Sequence, residues 1–237
     1  MSARRPLVLA HRGSSRRARE NTLEAFALAR EDGADGVELD VHRSRDGVLL
    51  VHHDADIEGL GVLAEHEAGA VRAAFAWIPT LAEVLDECQG LLVNIEIKNS
   101  PKDLDFDPDE SAAAAVVDLL ATRAGADRVL VSSFHLPSID RVHALAPGVP
   151  TGYLTVLRPP PADAIDVAIR GGHGAVHPFF GVLADGAAPA VTELAHTRGV
   201  SVHTWTVNEP DDVLRLAAAG VDALITDVPA DVIATLS

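Results

Sequence analysis

Short apolar runs alternate with helical patterns along nearly all of this 237-residue chain, and that alternation narrows the fold more than any other feature. Candidate strands lie at 7–11, 36–41, 92–98, 129–134, 151–156, 175–177, 200–206 and 222–226. Between them, helical spacing appears at 22–30, 80–88, 111–123, 138–146, 162–170, 189–198 and 211–219, and a last helix follows Pro229. Gly33, Gly125, Gly171, Gly199 and Gly220 stand where helix-capping glycines are expected. About eight strand–helix units in a chain of this length is the arithmetic of a (β/α)8 TIM barrel. A doubly wound open sheet shows the same alternation, but its glycine-rich dinucleotide turn is missing after the first strand. With no linker to interrupt it, the rhythm predicts one domain over 1–237. One segment breaks it. Between the second strand and the helix at 80 lies a short insertion that opens with a β-like stretch at 48–52. Residues 55–77 are rich in small and acidic residues with few apolar anchors, which predicts only partial cover of the barrel mouth.

Composition sets the class. A hydrophobic fraction of 48% supports a large core without cross-links, and only 4% aromatic content leaves Ala and Val to fill it. Cys88 is the single cysteine, so no disulfide forms within the chain, which is compatible with the cytosol. The apolar run at 7–10 is too short for a secretory segment, and no run approaches the ~18 residues of a membrane span. A cytoplasmic protein without stable membrane insertion is expected. The net charge of −16 disfavours nucleic acid and anionic membranes as partners. An anionic substrate then requires a local positive centre, such as a metal ion.

Two strands carry unusual inner faces. In 36–41, Val37, Leu39 and Val41 share one face, and Glu38 and Asp40 the other. In 91–98, Val93, Ile95 and Ile97 share one face, and Asn94, Glu96 and Lys98 the other. Buried carboxylates are costly unless paired or bound to a cation. A salt bridge accounts for one such acid. Three, at Glu38, Asp40 and Glu96, point to ligands of a divalent cation. Carboxylate-only ligation suits Mg²⁺, Ca²⁺ or Mn²⁺ rather than Zn²⁺. Lys98, one of only two lysines, is left to hold an anion.

Other motifs have both a bland and a chemical reading. His11-Arg12-Gly13 ends the first strand, and Arg12 offers a fork matched to phosphate or carboxylate. Glu20-Asn21-Thr22 reads first as a helix cap. His53-Asp54 is a loop histidine with a capping acid, or a second imidazole facing His11 across the metal. Two histidines at a hydrolytic site divide naturally into base and acid. Trp205 is core, or a wall of the barrel mouth. Thr226-Asp227 is as much a cap as a contact.

Taken in order, His11-Arg12-Gly13, Glu20-Asn21-Thr22, Glu38-x-Asp40-Val41, Asp46-Gly47, His53-Asp54, Pro79-Thr80-Leu81-x-Glu83, Asn94-x-Glu96-x-Lys98, Trp205-x-Val207-Asn208 and Thr226-Asp227-x-Pro229 resemble the glycerophosphodiester phosphodiesterase family. The resemblance runs from Leu7 to the final helix. It implies a (β/α)8 barrel that hydrolyses glycerophosphodiesters to glycerol 3-phosphate and an alcohol. It implies metal ligands at Glu38, Asp40 and Glu96, an acid/base pair at His11 and His53, and phosphate contacts from Arg12 and Lys98. Glu20 is then expected beside the metal and the glycerol hydroxyls, and Trp205 against the substrate. Arg19 replaces the family's usual proline, Ser44-Arg45 precedes Asp46, and the Arg-Thr-Thr-like segment after Asp54 is missing. The last departure implies a loosely read alcohol group.

Overall fold

The computed structural model describes residues 5–123 and 128–237. The first half runs β1 (Leu7–His11), α1 (Leu23–Glu31), β2 (Gly36–Arg43), β3 (Leu49–Val51), β4 (Asp56–Ile57), β5 (Gly61–Val62), α2 (Ala68–Ala74), α3 (Leu81–Glu87), β6 (Leu92–Ile97) and α4 (Ser111–Thr122). The second runs β7 (Arg128–Ser133), α5 (Leu136–Leu145), β8 (Thr151–Thr155), α6 (Pro161–Gly171), β9 (Ala175–Pro178), α7 (Ala188–Thr197), β10 (Ser201–Thr204), α8 (Pro210–Ala218), β11 (Ala223–Thr226) and α9 (Pro229–Thr235). Eight strands pair in parallel in the order β1-β11-β10-β9-β8-β7-β6-β2, and β1 pairing with β2 closes the ring. This is the expected (β/α)8 barrel. Among the described residues no helix is long and apolar enough to cross a membrane.

The alternation of side chains sets both layers. Val37, Leu39, Val41, Val93, Ile95 and Ile97 face outward and are fully buried against Phe26, Leu81, Leu85 and Val116. Each such burial stabilises by about 1.5–3 kcal/mol relative to exposure. Local signals fix the helix starts. Thr22 Oγ1 accepts from Ala25 N at 3.2 Å, and Thr80 with Glu83 forms a reciprocal capping box. Gly33, Gly199 and Gly220 lie just past helix ends with positive φ, as expected, whereas Gly172 rather than Gly171 takes the left-handed turn after α6. Gly125 lies outside the described residues.

Two loops differ from expectation. The insertion has its own small core: Leu50, Ile57, Leu63, Ala68, Val71 and Ile78 are buried together, with Phe75 and Trp77 packed against them. Its anchors are single residues spread over β3, the β4–β5 hairpin and α2, too scattered to read as a run. The insertion therefore packs as its own small unit, and only His53, Asp54 and Ala55 line the cavities at the mouth. A second long connection, 98–110, was hidden in the gap between strand and helix. Side chain–backbone bonds organise it: Asn99 Nδ2 donates to Asp107 O (2.9 Å), Asp107 N to Asn99 Oδ1 (2.8 Å) and Ser100 N to Asp103 Oδ2 (2.7 Å).

Inside the barrel, His177 and His203 are fully buried with ring centroids 4.7 Å apart. His177 packs over Gly152, where a Cβ would stand 2.4 Å from Nε2. Among the described residues, neither nitrogen of His177 nor Nδ1 of His203 has a hydrogen-bond partner. Burial pushes His177 well below its usual range and His203 down to about 4 against the weak pull of Asp222. Between about 4 and the unfolded value near 6.5 the unfolded chain binds more protons. Stability is thus intact above 6.5 and falls on acidification, by about 2 kcal/mol at pH 5 from His203 alone. Urea unfolding at pH 7 and pH 5 should show this loss. The loss should be smaller in His203→Gln, and an equal loss in both proteins would contradict it.

Candidate active site

The parallel register of β2 and β6 sets Asp40 opposite Glu96 and Glu38 opposite Asn94. All three acids are buried, with ligand oxygens within 4.8 Å of one another. Lys98 Nζ lies 2.8 Å from Glu96 Oε1 and 3.2 Å from Asp40 Oδ1. Arg12 Nε lies 3.2 Å from Asp40 Oδ2, and its Nη1 donates to Glu20 Oε1 at 2.9 Å. Arg12 reaches inward because the chain turns sharply after β1. Gly13 has φ +83° there, and a Cβ on it would stand 2.6 Å from the Ala25 backbone. Asn21 Nδ2 donates to Asp40 Oδ2 at 2.8 Å and orients that carboxylate, while Thr22 caps α1.

The charges are unbalanced. Burial, then the neighbouring charge of Asp40, pushes Glu38 up. Burial also raises Glu96, against the pull of Lys98. Burial would raise Asp40 too, but Lys98 and Arg12 hold it below the usual carboxylate range. Lys98 is raised despite burial by Glu96 and Asp40. Three acids face two fixed cations, and among the described residues Asp40 Oδ1 has only the Lys98 ion pair and no hydrogen bond. This hard-oxygen donor set, short of positive charge, fits Mg²⁺, Ca²⁺ or Mn²⁺.

Each catalytic candidate histidine has a carboxylate behind it. His11 Nδ1 donates to Asp227 Oδ1 at 2.7 Å, and its Nε2 lies 3.9 Å from Glu38 Oε2. Asp227 also accepts from Asn208 Nδ2 (2.8 Å) and Ser15 Oγ (3.2 Å), and those partners overcome burial to hold it down to about 2. Burial would lower His11, but the Asp227 bond and the Glu38 charge raise it. His53 Nδ1 donates to Asp54 Oδ1 at 2.7 Å, and burial with the Lys98 charge lowers it. The two imidazoles are driven in opposite directions, the pattern of an acid beside a base.

His11, Arg12, Glu38, His53, Glu96, Lys98 and Trp205 line one cavity of about 180 Å³, floored by Asn94, Leu154 and Ile225. Asp40 lies behind it. Glu20 is half-exposed at the rim on Arg12 and is not among the cavity's lining residues. Trp205 is held by its indole N–H on His177 O (2.8 Å) and meets Phe134 and Phe179 edge-on. A second cavity of about 340 Å³ shares His53, Glu96, Lys98 and Phe134 with the first. Asp227, Asn21 and Asn208 are supports that sequence reasoning left as caps or unassigned. Their signal was position alone, immediately beside strand ends and a helix start.

Residues 11–231 match the glycerophosphoryl diester phosphodiesterase family. A glycerophosphodiester phosphodiesterase of Caldanaerobacter subterraneus subsp. tengcongensis is 33% identical over 94% of both chains. A glycerophosphodiester phosphodiesterase structure from Thermotoga maritima superposes with a TM-score of 0.82 at 29% identity, covering 99% of each chain. An Oleispira antarctica phosphodiesterase, solved in complex with the product sn-glycerol-3-phosphate, gives a TM-score of 0.85 at 26% identity over 98% of this chain and 97% of that one. The chain belongs to the glycerophosphoryl diester phosphodiesterase family and is an enzyme of that class.

Proposed function

We propose that the whole chain acts as one catalytic domain that hydrolyses glycerophosphodiesters to glycerol 3-phosphate and an alcohol. The observation that carries this reading is a single cavity where two carboxylate-backed histidines, an arginine and a lysine meet three buried acids. Glu38, Asp40 and Glu96 would hold a divalent cation, which when bound supplies Lewis-acid polarisation of a phosphoryl oxygen. Arg12 and Lys98 balance the phosphate's charge as it shifts in the transition state. His53, beside Lys98, starts neutral, and its Nε2 takes the proton of the attacking hydroxyl as the new P–O bond forms. His11, held on Asp227 and beside Glu38, starts charged, and its Nε2 protonates the alcohol oxygen as the old P–O bond breaks. The attacking hydroxyl is that of water or of the substrate's own glycerol, and both routes use the same two residues.

Only Asp54 and Ala55 of the insertion join His53 in lining the mouth, so the common glycerol phosphate end anchors every substrate. Binding shared by all substrates does not discriminate among them. Glycerophosphocholine, glycerophosphoethanolamine and glycerophosphoglycerol should release glycerol 3-phosphate with kcat/KM within about tenfold of one another, or ~1.4 kcal/mol. A hundredfold preference would show that the alcohol is read closely. A second reading, a lysophospholipid substrate, is favoured by the exposed Leu104, Phe134, Val156 and Leu157 on successive loops after β6, β7 and β8. Choline release from lysophosphatidylcholine, measured in the same assay, separates the two.

A further inference from the structure

His53 is carried by neither a barrel strand nor a strand end. It follows β3, outside the closed ring, and its side chain is about one-third exposed. The Asp54 bond orients its ring but does not anchor its main chain. Something else must hold that main chain for Nε2 to reach the cavity reproducibly.

The flanking residues are tied by His52, whose N donates to Asp40 O at 3.1 Å and whose Nδ1 bonds Asp54 O at 2.8 Å, and His42 holds the carbonyl of His53 itself. His42 Nε2 donates to the His53 carbonyl oxygen at 3.1 Å, and His42 Nδ1 donates to Asp105 Oδ2 at 2.6 Å. The carbonyl oxygen can only accept, so Nε2 carries a proton toward it. The side chains of His42 and Asp105 are 1% and 4% exposed. Among the described residues Asp105 Oδ1 has no hydrogen-bond partner, so the His42 ring is what holds this carboxyl group. Buried ion pairs are weak evidence for stability, because desolvation offsets their attraction. Their rigidity makes them useful as struts. Asp105 belongs to the 98–110 loop, which also sets Phe106 edge-on to His135 and Glu110 against His135 and Ser138. His135 adjoins Phe134 in the cavity wall.

We propose that His42 and Asp105 form a positioning clamp. Asp105, carried by the loop after β6, fixes the His42 ring, which holds the main chain of His53 and so aims its imidazole into the catalytic cavity. This rests on the reading of His53 as an acid/base residue. Asp105 lines neither cavity at the mouth, and His42 lines the second one beside His53. The clamp acts on the position of His53, and that defines its test.

Asp105→Ala should lower kcat by about 10–100-fold, the cost of a misplaced catalytic group, with KM and metal affinity within twofold. Asp105→Asn keeps an acceptor for Nδ1 and should recover most of the loss. In a His53→Ala background, Asp105→Ala should change the rate less than twofold, because the group it positions is gone. An equal loss with and without His53, or a wild-type rate in Asp105→Ala, overturns the clamp. Should Asp105→Ala fail to fold, His42→Gln is read by the same criteria. Imidazole NMR separates this failure from that of the functional reading. The His53 signals should shift or broaden in Asp105→Ala while those of His11 stay, and unchanged His53 signals reject the clamp. A wild-type enzyme that releases no glycerol 3-phosphate rejects the functional reading, and the NMR result then decides the clamp by itself.

Discussion

Replacing His53 by Ala is expected to lower turnover by about 10²–10⁴-fold, the usual worth of a positioned acid or base. The fold should survive, because His53 lies outside the barrel ladder and contributes no apolar burial to either side of it. Metal affinity should be unchanged, since the three acids stand on β2 and β6. His11→Ala should cost a similar factor. Its effect includes the loss of a partner for Asp227, whose carboxylate then keeps only Asn208 and Ser15. The double variant should lose much less than the product of the two factors, because groups acting as a unit are non-additive. Steady-state kcat for the four proteins, at saturating divalent metal, measures this. Wild-type turnover in His53→Ala would remove it from the chemistry.

Glu96→Gln should abolish most divalent metal binding, weakening it by at least about 100-fold, with activity falling in parallel. Substitution removes one of three ligand charges and leaves Lys98, now with Asp40 as its remaining ion-pair partner, closer to the metal position. The outer face of β6, with Val93, Ile95 and Ile97, is untouched, so the melting temperature without metal should change little. Calorimetric titration of Mg²⁺ or Ca²⁺ into both proteins checks this. Full affinity in the variant would place the cation elsewhere.

Most of the barrel was legible because its signals are local. Alternation in 36–41 and 92–98 predicts which side chains face the helices, and β2 and β6 have that facing residue by residue. Period two also brings Glu38, Asp40 and Glu96 to one point. The same period extended two residues further along β2 reaches His42. Asp105 had no such signal. It lies 63 residues away in a loop whose shape depends on polar contacts of Asn99 with Asp107 and of Ser100 with Asp103. The apolar core of the insertion escapes the sequence for a related reason. Its core is assembled from isolated Leu, Ile and Val residues that meet only after β3 pairs with β2. Trp77 illustrates this, packed on that core with its ring under Arg19 at 4.2 Å and beside His52. Asp227 was ambiguous because a carboxylate at a strand end serves equally as a helix cap. Only the closure of β11 on β1 brings it to His11.

The most direct test of the account follows the phosphorus itself. Glycerophosphocholine incubated with the enzyme and Mg²⁺ or Ca²⁺ is monitored by ³¹P NMR, then treated with excess chelator, then resupplied with metal. The account predicts that the diester signal is replaced by glycerol 3-phosphate, that conversion stops with chelator, and that it resumes with metal. A diester signal that persists in the presence of metal, or conversion that continues undiminished after chelation, would contradict it.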